Sequence, residues 1–260
     1  MPSDPDTRQK LGIVRNNLRM FGLPRTVVDI LGYLFTPPPR DRFDRAYGVR
    51  TTGRVEKTQS GVTDPVALAD AVKYVPISEQ VMCHVLAQTA RIADPSSLAF
   101  VDLGCGKGRA LIMASWYPFQ SIHGVELSPR YAEAAQDNVT SYLARPRGPA
   151  VRCSRVTVLC ANALHYDFPA TDLLVFMYRP FKGQVFQGVL DRLHEHSRRT
   201  GRRVLVAYVC PLEQHMLERH PSFTQLADYQ VIVDEHRWSL WETRPAVART
   251  AAPMAVASSS

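Results

Sequence analysis

"FVDLGCGKGRA", Phe100 to Ala110, puts three glycines at alternate positions straight after a short apolar run that ends in an aspartate. An apolar run of this length, stopped by glycine, reads as a strand buried on both faces; the glycines then form the turn into a helix. A glycine-rich turn lets a ligand touch the main chain, and the helix that follows offers unpaired N–H groups and a positive dipole end to an anionic group. In a parallel sheet that first strand-to-helix turn lies beyond the carboxyl ends of the strands, where ligands bind.

The chain on either side keeps the same rhythm. A helix is predicted from about Ser78, its N-cap, to Ala93, then a strand over 98–103, a helix over about 107–117 and a strand over 121–127. A helix from about Pro129 to Leu143, strands over 155–160 and 172–178, a helix across "QVFQGVLDRLHEH" and a strand over 203–210 follow. Alternation of this kind predicts a parallel sheet covered on both faces. "SFTQLADYQVIVD" and "RWSLWETRP" depart from it and read as an antiparallel hairpin at the sheet edge. The expected fold class is α/β, a Rossmann-like, mostly parallel seven-stranded sheet with an antiparallel C-terminal hairpin and a helical N-terminal cap.

Three regions are expected. Residues 1–63 form a helical cap, two amphipathic pieces over 8–36, followed by a long loop from Arg40 to Thr63; residues 64–248 form the main domain; residues 249–260, rich in Ala and Ser, form a disordered tail. No run approaches the roughly 18 apolar residues of a membrane span, and "MPSDPDTRQK" lacks the order of a secretory signal, so a cytoplasmic protein without membrane contact is expected. The five cysteines, Cys83, Cys105, Cys153, Cys160 and Cys210, show no CxxC spacing and read as buried free thiols, with no metal.

The formal net charge is +7, and residues 8–54 alone supply an excess of that size, ten basic residues against Asp29, Asp41 and Asp44. The arginine clusters "ARPRGPAVRCSR" and "RRTGRR" precede the third and fifth strands, at the end of the sheet away from the glycine turn. A nucleic acid held there has no access to the turn, so a nucleic-acid substrate is not expected.

A second acid, Glu126, ends the next strand 24 residues after Asp102, where a carboxylate accepts the two hydroxyl protons of a ribose. The glycines read GxGxG (Gly104, Gly106, Gly108), not the GxGxxG of dinucleotide folds. With Asp102 two residues ahead, the stretch resembles the first motif of class I S-adenosylmethionine-dependent methyltransferases, and Glu126 their second; the resemblance covers roughly 100–245. It implies that S-adenosylmethionine is the cofactor. Asp102 and the Gly104–Gly108 backbone would line its methionine end, Glu126 would hold the ribose and Leu127 would lie along the adenine. Asn162, followed by Ala163, stands where the family commonly has an Asp that receives the adenine amino group. A Tyr-x-Pro at Tyr74 resembles Dot1-like histone lysine methyltransferases and would bring Tyr74 and Thr51 near the cofactor; a surface loop and an ordinary N-cap is the other reading.

The family's acceptor-facing motif ends the fourth strand, here Tyr178-Arg179-Pro180-Phe181. It resembles N/D-P-P-Y/F but lacks the amide or carboxylate that orients a planar amine. Tyr178 is left to orient an acceptor through its hydroxyl and Phe181 to supply an apolar wall, or the pair is simply a strand end closed by proline. His165, in "LHYDF", is the candidate acid-base group, beside the alternative of a solvated loop histidine. The expected activity is methyl transfer (EC 2.1.1) to an O, N or C nucleophile of a small molecule. The alternatives are a protein side chain of the lysine type as acceptor, or a binding protein without turnover; an NAD-dependent dehydrogenase is opposed by the glycine spacing and the hairpin.

Overall fold

The structure is a computed structural model that describes residues 42–53, 61–62, 69–72, 74–231 and 236–243. The cap expected over 8–36, the turn between the last two strands and the tail from 249 lie outside the described residues.

Strands β1 (Leu98–Leu103), β2 (Ser121–Glu126), β3 (Val156–Cys160), β4 (Asp172–Tyr178) and β5 (Val204–Val209) are parallel, whereas β6 (Thr224–Val231) and β7 (His236–Thr243) run against them. The sheet order is β3-β2-β1-β4-β5-β7-β6. The α/β class and the seven-stranded, mostly parallel sheet with an antiparallel C-terminal pair are therefore present as read from the sequence, with one refinement: β7 inserts between β5 and β6, leaving β6 at the edge. Every residue of β1 and β5 is buried, which is why both read as unbroken apolar runs.

Alternate side chains feed two cores. Phe100 and Phe176 stack at 6.0 Å on one face, beneath α2 (Glu79–Ala90), α3 (Arg109–Ala114) and α4 (Pro129–Ala144). Val101, Val175 and Val206 face α5 (Gly183–Thr200) and α6 (Gln214–Arg219) on the other. Each fully buried ring or branched side chain of this kind contributes about 1.5–3 kcal/mol relative to an exposed one. Local signals set the helix ends: Ser78 Oγ accepts from Val81 N, Ser128 Oγ accepts from Tyr131 N with Pro129 opening α4, and α5 stops at Gly201 (φ +71°).

Two expectations need correction. The segment from Arg40, read as loop, contains a short helix, α1 (Arg42–Tyr47). Phe43 and Tyr47 lie four residues apart on one face, both buried, with ring centroids 4.4 Å apart, and Tyr47 donates to Glu79 Oε1 at 2.5 Å. Six residues are too few for a helical period to be read, and tertiary docking supplies the stability. All five cysteines are free thiols, but only Cys105 and Cys153 are buried; Cys160 is exposed because β3 is the other edge of the sheet. Among the described residues no helix is long and apolar enough to cross a membrane.

Candidate functional site

The chain leaves β1 toward β2 and β3 on one side and returns to β4 and β5 on the other, so the carboxyl ends of β1 and β4 form the switch point of the sheet. A cavity of about 450 Å³ opens there, within the size range of small-molecule sites. Asp102, Gly104, Glu126 and Leu127 line one side; Tyr178, Arg179, Pro180 and Phe181 line the other.

Gly104, Gly106 and Gly108 all have positive φ, +83°, +55° and +82°. What passes close to them is protein. A Cβ on Gly104 would lie 2.4 Å from Pro180 Cβ, and one on Gly106 would lie 2.2 Å from Tyr74 Cε2. The loop is also bound to β2: Gly104 N and Cys105 N both donate to Val125 O, and Gly106 N donates to Glu126 Oε2 at 2.9 Å. The other Glu126 oxygen accepts from Ser128 N at 2.8 Å. Burial pushes the Asp102 carboxyl well above its usual range, and the nearby Glu126 charge adds to the effect. Glu126 is also raised by burial, against the pull of the Ser128 and Gly106 N–H groups. Two buried carboxylates in one cavity suit a cationic ligand.

Tyr74 covers the loop. Its ring packs on Tyr131 at 4.9 Å, and its hydroxyl donates to Thr51 O at 2.6 Å. Thr51 is fixed in turn by Asp44, which accepts from Thr51 N and Oγ1 with one oxygen and from Thr52 N and Oγ1 with the other. Arg109, at the start of α3, donates to Thr51 Oγ1 at 2.7 Å, lies 3.5 Å from Asp44 Oδ1 and stacks over Phe43. Desolvation lowers its pKa to about 10, so it stays charged at neutral pH. Asn138 bonds Arg50 N and both Arg50 O and Lys107 O, and Lys107 Nζ donates to Thr52 O. Residues 42–53 are thereby latched to the glycine loop.

Of the residues singled out in the sequence for a cofactor, Asp102, Gly104, Glu126, Leu127, Asn162, Ala163 and Tyr74 line the cavity; Gly106, Gly108 and Thr51 do not. Asn162 Oδ1 is taken by Leu164 N, capping a turn of 3₁₀-helix over Ala163–His165. The same turn sends His165 outward: it is exposed and does not line the cavity. Its neighbour Tyr166 is buried and Asp167 exposed. Tyr178 and Phe181 do line the cavity, and the Tyr178 hydroxyl sits 2.9 Å from His236 Nε2. Ala71 and Val72 also line the cavity, where Ala71 bridges Phe181 and Val72 N donates to Pro180 O.

The strand order, the reversed last strand and the glycine loop over β1 decide the architecture. The fold is Rossmann-like, a mostly parallel sheet with a reversed last strand. No family model and no curated protein matches the sequence. Among solved structures, an RNA methyltransferase from Salinibacter ruber in complex with S-adenosyl-L-homocysteine is 17% identical, with a TM-score of 0.48 over 67% of this chain and 97% of that one. Magnesium protoporphyrin IX methyltransferase from Synechocystis with bound SAM is 17% identical, with a TM-score of 0.48 over 83% and 96%. Precorrin-6y C5,15-methyltransferase from Geobacter metallireducens is 18% identical, with a TM-score of 0.46 over 67% and 93%. These likenesses are distant, and the Dot1-like resemblance finds no support in them.

Four residues of the site escaped sequence reasoning. Asp44, Arg109, Asn138 and His236 act through partners 7 to 88 residues away, so no local pattern marks them. The one available signal was the acid and the two threonines of "FDRAYGVRTTG", a spacing that lets a carboxylate gather consecutive N–H and hydroxyl groups.

Proposed function

We propose that the chain transfers a methyl group from S-adenosylmethionine to an O, N or C nucleophile of a small molecule. The observation that carries this reading is the pairing of buried Asp102 and Glu126 beside the left-handed glycine loop, in one cavity of suitable size. The residues fit such a cofactor. Asp102 is the acid for its cationic methionine end, Glu126 has lone pairs left for ribose hydroxyls, and Leu127 with Ala163 supplies apolar wall for the base. Asn162 contributes there as a turn cap, since its side-chain oxygen is already engaged.

When bound, S-adenosylmethionine supplies an electrophilic methyl group whose leaving group becomes a neutral thioether. The chain then has to align an acceptor and keep water out. Tyr178 and Phe181 form the acceptor wall, and Ala71, bridged to Phe181, lies beside them on the cavity wall. Tyr178 would take a proton from an acceptor as its own hydroxyl proton passes to His236 Nε2, 2.9 Å away, a role that His165 on the surface does not have. Residues 1–63 act as a cap and lid, and residues 64–248 as the catalytic domain.

Calorimetric titration with S-adenosylhomocysteine tests the reading. Binding that Glu126→Gln weakens about 10- to 100-fold supports it, because a charged hydrogen-bond acceptor is lost. Binding of NAD in preference, or no binding of either, overturns it. Tight binding with no methyl transfer to any acceptor would leave a binding protein.

A further inference from the structure

Arg179 and Cys210 are the only non-glycine residues with positive φ among the described residues, at +39° and +50°. They sit side by side at the carboxyl ends of neighbouring strands, since β4 and β5 pair in register up to Tyr178 and Val209. A residue before proline is expected to be extended, so a left-handed Arg179 followed by Pro180 costs about 1–2 kcal/mol. Such outliers persist where the surroundings over-determine them, and here Pro180 is wedged against Gly104 while its carbonyl holds Val72 N.

The strained backbone turns Arg179 onto the cavity wall. Its guanidinium lies 5.6 Å from the Tyr178 ring centroid and makes no hydrogen bond or ion pair among the described residues. The other arginine on the wall, Arg109, is satisfied by Thr51, Ile77 O and Asp44. The same cavity has aromatic and apolar lining, Tyr178, Phe181, Phe176, Val185 and Val72 among it. The acidic groups of the cavity, Asp102 and Glu126, end β1 and β2 instead.

We propose that the acceptor is a small molecule with an apolar or planar body and a carboxylate, and that Arg179 is the residue that selects it. The inference rests on the methyl-transfer reading above and names the substrate class of that same site. The guanidinium fork matches a carboxylate with two parallel N–H bonds, while the rings of Tyr178 and Phe181 enclose the body of the ligand. A polymeric phosphate chain fits less well. The arginines that precede β3 and β5 lie at the opposite end of the sheet, and Arg198 and Arg203 there are paired with Glu195 and Glu242.

The test uses protein saturated with S-adenosylhomocysteine, after binding of that compound has been measured by itself. Benzoate, its amide benzamide and phenyl phosphate are then titrated by ligand-observed NMR. Benzoate is expected to bind about 10- to 100-fold more tightly than benzamide, and the preference to vanish in Arg179→Gln and Arg179→Gly while Arg179→Lys keeps part of it. Arg179→Gly also removes the backbone strain and should melt higher than Arg179→Gln, which shows that both variants are folded. Equal binding of acid and amide, no binding of either, or an unchanged preference in Arg179→Gln overturns the proposal. Phenyl phosphate binding more tightly than benzoate overturns the carboxylate assignment. If S-adenosylhomocysteine itself does not bind, it is the methyl-transfer reading that fails.

Discussion

Replacing Gly106 by alanine separates two reasons for a glycine. The left-handed φ of +55° costs an L-residue about 1 kcal/mol. The added Cβ also lands 2.2 Å from Tyr74 Cε2 and 2.7 Å from Cδ2, well inside the roughly 3.5–4.0 Å of carbon–carbon contact. Tyr74 has little freedom to withdraw, since its hydroxyl is bonded to Thr51 O and its ring is packed on Tyr131. Displacing a packed ring costs about 1–3 kcal/mol and losing the hydrogen bond about 1 more. The expected destabilisation is therefore about 3–5 kcal/mol in the natural background. In a Tyr74→Ala background only the backbone term remains, about 1 kcal/mol. Urea denaturation of the four proteins in a double-mutant cycle reads the difference directly. An equal cost of Gly106→Ala in both backgrounds would refute the claim that Tyr74 is what excludes a side chain there.

Removing Asp44 in Asp44→Ala deprives two N–H groups and two hydroxyls of their acceptor and leaves the Arg109 guanidinium buried without its carboxylate; a loss of about 3–5 kcal/mol is expected by chemical denaturation, and a loss below about 1 kcal/mol would contradict the latch. Asp102 holds its proton longer in the folded chain than in the unfolded one, so its contribution to stability is complete below its ordinary value of 3.8 and is lost as pH rises through the raised folded value. Denaturation midpoints of the natural protein should thus fall relative to Asp102→Asn as pH increases from about 4; parallel curves for the two proteins would show that the carboxyl is not raised.

The strands of the central sheet were legible because the physics that forms them is local. Leu98–Leu103 and Val204–Val209 are buried on both faces and carry an unbroken apolar run, and Ser78 and Ser128 mark helix starts with their own hydroxyls. Glu126 was legible from its spacing to the glycines, and it does reach the cavity. The glycines were placed correctly but explained incompletely: Tyr74 and Pro180, distant in sequence, fill the space that a ligand was expected to occupy. Helix α1 was missed because a single Phe43–Tyr47 pair gives no period. The left-handed turn at Arg179 runs against the rule for a residue before proline, and only the packing of Pro180 on Gly104 accounts for it.

A crystal structure of the protein grown with S-adenosylhomocysteine tests the central claim most directly. The compound should occupy the cavity between the glycine loop and Tyr178, with its ribose hydroxyls on Glu126 and its amino group toward Asp102. Density for the compound elsewhere on the molecule, or a cavity that stays empty at saturating concentration, would contradict it.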